Sequence, residues 1–331
     1  MVKTGGGAWK KNSETTDNFL LGLASAPERA AGYDPRLLAE FAARLKGTIA
    51  IALGNWTEAE AILKRNKVLE SDSELNKGRD ISFGTFLFSV GRVKEAEHIL
   101  ARARIADRYA AVIYSHLARV YSSMNDYESS MAVLAKGMNL FSFSKTSVEQ
   151  RWHPLLRRTA LFNALATGNK DLIASTARSI KNGDLGAGDL DKKLAALLNN
   201  DQALKRTLHE MWSDPANQYG YRAESVAIWA AYVRDYDLAF AALYRLPNDL
   251  ATWALWHPAM AESRNTPGFR EMVRKTGLLN YWLSSGQWGE FCGPVGAQDF
   301  ECKAKARSDQ PLRPTPAVAD APDSGAGERR R

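Results

Sequence analysis

Small and large apolar residues recur along the first half of the chain at the spacing of paired helices. Between residues 84 and 103, such positions are Gly84, Leu87, Gly91, Val93, Ala96, Leu100 and Ala103. The positions 34 residues later hold Ala118, Tyr121, Asn125, Tyr127, Ser130, Leu134 and Gly137. Small residues therefore align with small ones and large with large. A period of this length with a turn at its middle is typical of helix–turn–helix repeats.

Extending this pattern predicts five helical pairs, at about 36–70, 76–106, 109–141, 152–181 and 219–246. In the first pair, Asp34 is a candidate N-cap and Pro35 suits the first helical position, where its missing N–H has no partner. Leu38, Phe41, Leu45 and Ile49 then follow at helical spacing. The turn between the two helices is predicted at Gly54-Asn55-Trp56.

Units two and three resemble tetratricopeptide repeats. Those repeats place a small residue midway along the first helix, a large one three positions later and a small one early in the second helix. These positions hold Gly84, Leu87 and Ala96 in unit two and Ala118, Tyr121 and Ser130 in unit three. The resemblance implies an all-α fold, a right-handed superhelical solenoid whose concave face binds other molecules. An ordinary helical bundle with chance periodicity is the alternative.

The last part of the ordered region carries its own signature: Pro267-Gly-Phe269, Gly277-Leu278, Tyr281-Trp282, Gly286-Gln-Trp288 and Phe291-Cys292. This run resembles the C-terminal end of the repeat region in bacterial regulators that carry a class III adenylate/guanylate cyclase domain or a winged-helix DNA-binding domain. The resemblance covers about residues 36–292. No cyclase carboxylate pattern and no winged-helix segment precedes the repeats, so neither activity is expected of this chain.

The same stretch predicts a cap over residues 255–292. Thr266 can cap a helix that begins at Pro267, with Lys275 and Gly277 suited to its end. The aromatic side chains of Tyr281, Trp282, Trp288 and Phe291 can then close the last hydrophobic face of the solenoid, which is predicted to span 18–292.

Charge and composition limit the partners. The net charge is +7, and much of the excess lies in the Pro-, Ala- and Arg-rich tail, 303–331. That tail and the Gly-rich residues 1–17 are predicted to be disordered. The remaining positive charge is mild, so nucleic-acid binding is not favoured. No apolar run is long enough to span a membrane, and the polar N-terminus does not resemble a signal peptide, so a cytoplasmic protein is expected.

No arrangement of reactive residues predicts catalysis, a metal or a cofactor. The five histidines are scattered, and His209-Glu210 lacks the second histidine of a zinc protease motif. The two cysteines, Cys292 and Cys302, pair only in an oxidising compartment, and the favoured interpretation is that Cys292 packs beside Phe291 as a small hydrophobe. An enzyme with an active site in the solenoid remains an alternative.

Binding is therefore the predicted activity. In the family that the chain resembles, the first helix of each pair lines the concave face. The corresponding positions are Ser115, Arg119, Ser122 and Ser123 in unit three, Arg158 in unit four, and Tyr221 and Tyr232 in unit five. Arg119 and Arg158 could clamp a carboxylate of an acidic peptide. The alternative is that these arginines are solvated surface residues.

The sequence thus predicts a non-enzymatic scaffold or regulatory adaptor that binds a protein or peptide in its concave groove. A second hypothesis follows from the C-terminal signature: the chain is a detached sensory module acting on a cyclase or transcriptional regulator encoded elsewhere. A third is that the basic tail binds RNA or an acidic membrane, in which case the binding would weaken with salt.

Overall fold

The computed structural model of the chain describes residues 35–68, 76–108, 110–142 and 152–303. Residues 1–17, the candidate cap Asp34 and nearly all of the predicted tail lie outside these ranges. The described part is mostly helical and carries one small two-stranded sheet, which agrees with the predicted all-α class.

The first four helical pairs occur in the following order along the chain. They are α1 (Pro35–Leu53) and α2 (Trp56–Val68), α3 (Asn76–Ser89) and α4 (Val93–Ala106), α5 (Ala111–Ser123) and α6 (Tyr127–Ser142), and α7 (Trp152–Thr167) and α8 (Lys170–Ser179). Two further helices follow, α9 (Gly188–Ala195) and α10 (Asp201–Ser213).

A fifth pair, α11 (Gly220–Tyr232) and α12 (Tyr236–Leu243), precedes the C-terminal elements. These are α13 (Asn248–Leu255), a 3₁₀ segment (Pro258–Asn265), α14 (Pro267–Lys275) and α15 (Leu278–Ser285), then β1 (Cys292–Val295) and β2 (Asp299–Cys302). Short 3₁₀ turns lie at Asp184–Gly186 and Pro215–Asn217.

The same turn joins the two helices of all five pairs. In each, the residue two positions before the second helix has a positive φ; these residues are Gly54, Gly91, Asn125, Gly168 and Arg234. A left-handed residue at this point ends the first helix and reverses the chain. Glycine adopts this conformation without strain, and asparagine is the next most tolerant residue.

Within a pair, a small residue of the first helix faces a leucine of the second. A Cβ on Gly84 would lie 2.7 Å from the Leu100 side chain, and one on Gly47 would lie 2.8 Å from that of Leu63. In the third pair, the Ser130 hydroxyl donates to the Ala118 carbonyl at 2.6 Å. The small residues therefore let paired helices approach closely, as the sequence pattern predicts.

The first helices of the pairs, together with α13, form a closed circuit. Helix α13 contacts α11 and also returns to contact α1 and α3. Three tryptophans of the C-terminal elements donate indole N–H groups to the end of α3 and its turn: Trp253 to the Ser89 hydroxyl, Trp256 to the Ser89 carbonyl and Trp282 to the Val90 carbonyl. The predicted cap thus packs against the first pairs as well as the last one.

Several local features of the cap agree with those predicted from its sequence. The Thr266 hydroxyl caps α14, whose first residue is Pro267, and the helix ends at Lys275. The aromatic rings pack together, with ring centroids 5.4 Å apart between Trp282 and Trp288. None of the described helices is long and apolar enough to cross a membrane.

The prediction for Cys292 was wrong. Cys292 and Cys302 form a disulfide across the antiparallel strands β1 and β2, where they are directly paired in the ladder. The sequence pattern did not indicate these strands, because each is only four residues long. The pairing places the two cysteines opposite each other, and both are buried at 8% exposure as the two halves of a disulfide.

Candidate functional site

A buried ion cluster lies where helices α5, α7 and α11 meet. The Arg119 guanidinium donates to Glu224 Oε1 at 2.8 Å, and the Arg158 guanidinium donates to Glu224 Oε2. The three side chains come from α5, α7 and α11 respectively. Their side-chain exposures are 11% for Arg119, 2% for Arg158 and 1% for Glu224, so solvent screens these pairs very little.

Aromatic rings complete the surroundings of both guanidinium groups. The carbon centre of the Arg158 guanidinium lies 4.3 Å from the ring centroid of Phe162 and 5.0 Å from that of Tyr221. The Arg119 guanidinium lies 5.3 Å from the Trp253 ring. A planar guanidinium pairs with a carboxylate at its edge and stacks on rings with its face. This geometry fixes α5, α7, α11 and α13 relative to one another.

The structure brings Arg119 and Arg158 onto one carboxylate, but that carboxylate belongs to the chain. From the sequence, the same two arginines were predicted to clamp a carboxylate of an acidic peptide ligand. Glu224 occupies the position between them, and its 0% exposure excludes solvent from the clamp. The arginines are also not solvated surface residues, which was the alternative interpretation.

The three predicted serines lie inside the protein. Ser115, Ser122 and Ser123 are 1%, 1% and 4% exposed. Ser115 forms a 2.8 Å hydrogen bond with Thr159 of α7, and Ser123 donates to the Val120 carbonyl at 2.7 Å. They do not line an open groove as predicted, because they are buried among packed helices.

The two predicted tyrosines lie nearer to the surface. Tyr221 is 36% exposed, and Tyr232 is half-buried with its ring edge-on to Trp229. Tyr219, which the sequence analysis did not select, is 62% exposed and immediately precedes α11. Arg158 donates to the Tyr221 carbonyl at 2.7 Å and so connects this exposed edge to the buried cluster.

A small cavity remains beside the ion cluster. Its volume is about 20 Å³, which is room for about one water-sized probe. Its polar lining residues are Arg119, Ser122, Asn163, Glu224 and His257, and its apolar lining residues are Phe88, Phe162, Ile228, Trp253 and Ala254. Among the described residues, no group of three or more His, Cys, Asp or Glu side chains could hold a metal ion. A cavity of this volume does not accommodate a peptide segment.

Burial and the arginines shift the proton affinities of nearby groups. Burial alone would raise the pKa of Glu224, but the charges of Arg158 and Arg119 outweigh it and lower that pKa to about 2. For His116, burial and the charge of Arg119 both lower the pKa, to about 3. Burial raises the pKa of Asp191, whose carboxylate accepts the Trp229 indole N–H at 3.0 Å. At neutral pH, Glu224 is therefore ionised and His116 is neutral.

Glu224 is the residue that sequence reasoning missed. It is the one charged residue in the continuous buried run 223–231 of α11. A carboxyl group in such a run either pairs with a buried cation or donor or becomes protonated, because an unpaired buried charge is strongly unfavourable. This signal indicates a pairing but does not name the partners, which lie 105 and 66 residues away in the sequence.

Comparisons with models of protein families, with curated proteins and with solved structures found no match. The tetratricopeptide assignment and its right-handed superhelix, like the resemblance to cyclase and winged-helix regulators, therefore stay predictions from the sequence. The class that the structure itself defines is an all-α protein of stacked helical pairs with a closed, ion-paired interior.

Proposed function

We propose that the protein is a non-enzymatic interaction scaffold that binds a partner protein through the tyrosine edge, defined as residues Tyr219 to Tyr221 at the start of α11. The observation that carries this proposal is the exposure of two tyrosines beside a buried, ion-paired interior. Tyrosine is prominent among the residues that contribute most to binding energy at protein interfaces.

Contacts hold Tyr221 of the tyrosine edge in place before any partner arrives. Tyr219 has an extended backbone, with φ −138° and ψ 154°, and Gly220 follows with φ +55°. The Arg158 guanidinium contacts both the ring and the carbonyl of Tyr221. A pre-organised aromatic side chain loses little conformational entropy on binding, which favours affinity.

The closed interior favours a partner-binding site on the outer surface of the protein. In the predicted groove, Glu224 already neutralises one positive charge between Arg119 and Arg158, and the cavity of about 20 Å³ admits no peptide. A partner that binds the folded chain therefore contacts the outside, and this proposal replaces the concave groove with the tyrosine edge.

Site-specific photo-crosslinking tests the proposal. A photoreactive amino acid replaces Tyr219 in the full chain, which is expressed in its native cell and irradiated, and adducts are identified by mass spectrometry. The matched control carries the same amino acid at Lys205, an exposed position on α10. We expect a distinct adduct at 219 that is missing at 205. The same adducts at both positions, or none at either, would contradict the tyrosine edge.

Once a partner is identified, its affinity gives a second test. Y219A should weaken binding at least about tenfold, because truncating a dominant interface residue costs about 2 kcal/mol or more. L283A is the control, since Leu283 is also an exposed apolar residue, at 38%, on α15. Equal affinity of Y219A and the parent protein would refute the assignment even if a partner exists.

A further inference from the structure

One buried arginine has no carboxylate partner in the described part of the chain. Arg264, in the 3₁₀ segment after α13, is 2% exposed. Its guanidinium donates to the Trp256 carbonyl at 3.3 Å, and its Nε is buried without an acceptor. Arg119 and Arg158 share Glu224, and the buried Arg92 pairs with Glu60 and Glu95. Arg264 therefore stands apart as a buried cation without a carboxylate partner among the described residues. Such groups mark sites where an anion would bind favourably if it had access.

A C-terminal cover, residues 289–303, shields Arg264 from solvent. The Phe291 ring lies 4.2 Å from the carbon centre of its guanidinium and stacks on Trp256 with ring centroids 5.6 Å apart. Strand β2 contacts the 3₁₀ segment that carries Arg264. The cover therefore separates this guanidinium from the surrounding water.

Contacts to the rest of the chain hold the cover at its start and at its tip, and a disulfide cross-links its two strands. At its start, Glu290 donates its N–H to the Gly91 carbonyl at 3.0 Å and accepts from the first amides of α4. At its tip, Asp299 pairs with Arg270 at 2.9 Å and with Arg274 at 3.1 Å. The disulfide between Cys292 and Cys302 joins its two strands, and these two residues are the only cysteines of the chain.

We propose that the Cys292–Cys302 disulfide fastens this cover over Arg264, and that reducing the disulfide gives a small oxyanion access to the guanidinium. The strands are only four residues long, and a two-stranded sheet of this size is marginal in water on its own. Phe300 anchors β2 against Trp282, so the disulfide ties β1 and the adjacent Phe291 to an anchored strand. Once the covalent bond is lost, Phe291 can leave the guanidinium face and expose Arg264 beside Trp256. This inference does not depend on the tyrosine edge.

The chemical step is an ordinary thiol–disulfide exchange. A thiolate of an external dithiol attacks one sulfur, breaks the S–S bond and forms a mixed disulfide while the other cysteine leaves as a thiolate. The second thiol of the reductant then displaces the remaining cysteine. The protein gains two electrons and two protons as two thiols, and the reductant becomes a disulfide.

Arginine-specific labelling with phenylglyoxal, mapped by mass spectrometry, tests the access of Arg264 in the full chain. The oxidised protein is compared with the C292S/C302S double variant, which lacks the disulfide and needs no thiol that would consume the reagent. We expect labelling of Arg264 to be at least about tenfold faster in the double variant, as for a site whose local opening becomes populated. Arg245, which is exposed in the structure, should react equally in both.

The anion is tested in the same assay with inorganic phosphate and, separately, acetate, against chloride at equal ionic strength. Slower labelling of Arg264, but not of Arg245, in either oxyanion supports the site, and the more protective one distinguishes phosphate from carboxylate recognition. Unchanged labelling of Arg264 in the double variant would show that Glu290 and Asp299 hold the cover without the disulfide. Faster labelling without protection by either oxyanion would refute the anion site.

Discussion

The indole N–H of Trp56 donates to the Thr276 carbonyl at 2.7 Å, across 220 residues of sequence. Trp56 is the first residue of α2, and Thr276 is the residue that follows α14. Both residues are 1% exposed, so this hydrogen bond is formed in the interior. It joins the first helical pair to the C-terminal elements and closes the circuit of helices.

Replacing Trp56 with phenylalanine should therefore destabilise the whole chain. The variant keeps an aromatic ring but removes the donor, which leaves the buried Thr276 carbonyl unsatisfied at a cost of about 1–3 kcal/mol, and the smaller ring adds to the loss. Urea unfolding followed by far-UV circular dichroism measures the change. W212F is the matched control, because Trp212 is half-buried on α10. Equal losses in W56F and W212F would contradict a special role for this hydrogen bond.

Glu224→Gln should be among the most destabilising conservative changes. The amide keeps the shape of the side chain but leaves Arg119 and Arg158 as buried cations without a counter-charge. Breaking a buried ion pair in this way typically costs about 3–5 kcal/mol. E262Q is the control, since Glu262 pairs with Arg234 near the surface with 39% of its side chain exposed, and that loss should stay below about 1 kcal/mol.

The stabilities of the wild type and of E224Q should depend differently on pH. The pKa of Glu224 is lowered from 4.5 in the unfolded chain to about 2 in the folded one. A lowered acid pKa stabilises the fold above pH 4.5, and this stabilisation is lost as the pH falls towards 2. At about 1.4 kcal/mol per pH unit, the wild type should lose about 3 kcal/mol more than E224Q over that range. Parallel profiles would contradict the ionised cluster.

Local features of this fold were accessible from the sequence. The turn predicted at Gly54-Asn55-Trp56 lies between α1, which ends at Leu53, and α2, which begins at Trp56. Thr266 caps α14 as predicted. Such features depend on a few adjacent residues, because capping and left-handed turns are decided by local backbone chemistry.

Closure of the circuit was not accessible in the same way. The repeat pattern specifies how one pair packs on the next, but it does not specify how far the series curves. Here Trp253 of α13 reaches Ser89 of α3, so the face that was predicted to be an open groove is covered. The groove residues were predicted without this closure: Arg119 and Arg158 were expected to clamp a carboxylate of an acidic peptide, and in the structure they lie on Glu224 of the chain itself.

The burial of His116 can be tested from the dependence of stability on pH, at a higher pH than that of Glu224. Its ring lies edge-on to Trp253 at 4.8 Å, and its pKa falls from 6.5 in the unfolded chain to about 3 in the folded one. Below pH 6.5 the unfolded chain therefore binds a proton at His116 that the folded chain does not bind. The free energy of unfolding consequently decreases as the pH falls. Between pH 6.5 and 4.5 this loss should amount to about 2–3 kcal/mol.

Comparison with H116F isolates this contribution. Phenylalanine keeps an edge-on aromatic contact with Trp253 but does not titrate. Subtracting the two stability profiles cancels the groups that both proteins share, including Asp191 and Asp249, whose raised pKa values act in the opposite direction. A difference that stays constant from pH 6.5 to 4.5 would show that the His116 ring is protonated in the folded state.

The packing of the helical pairs can be tested at Gly84. A Cβ there would lie 2.7 Å from the Leu100 side chain, so Gly84→Ala should force α3 and α4 apart and cost about 1–3 kcal/mol. This loss opposes the gain of about 1 kcal/mol that alanine brings to a helix interior. In an L100A background the obstruction is removed, and the same change should become neutral or stabilising. A double-mutant cycle from urea unfolding measures the coupling between the two positions. Additive effects would mean that the small residue at this repeat position serves backbone conformation and not the close approach of the paired helices.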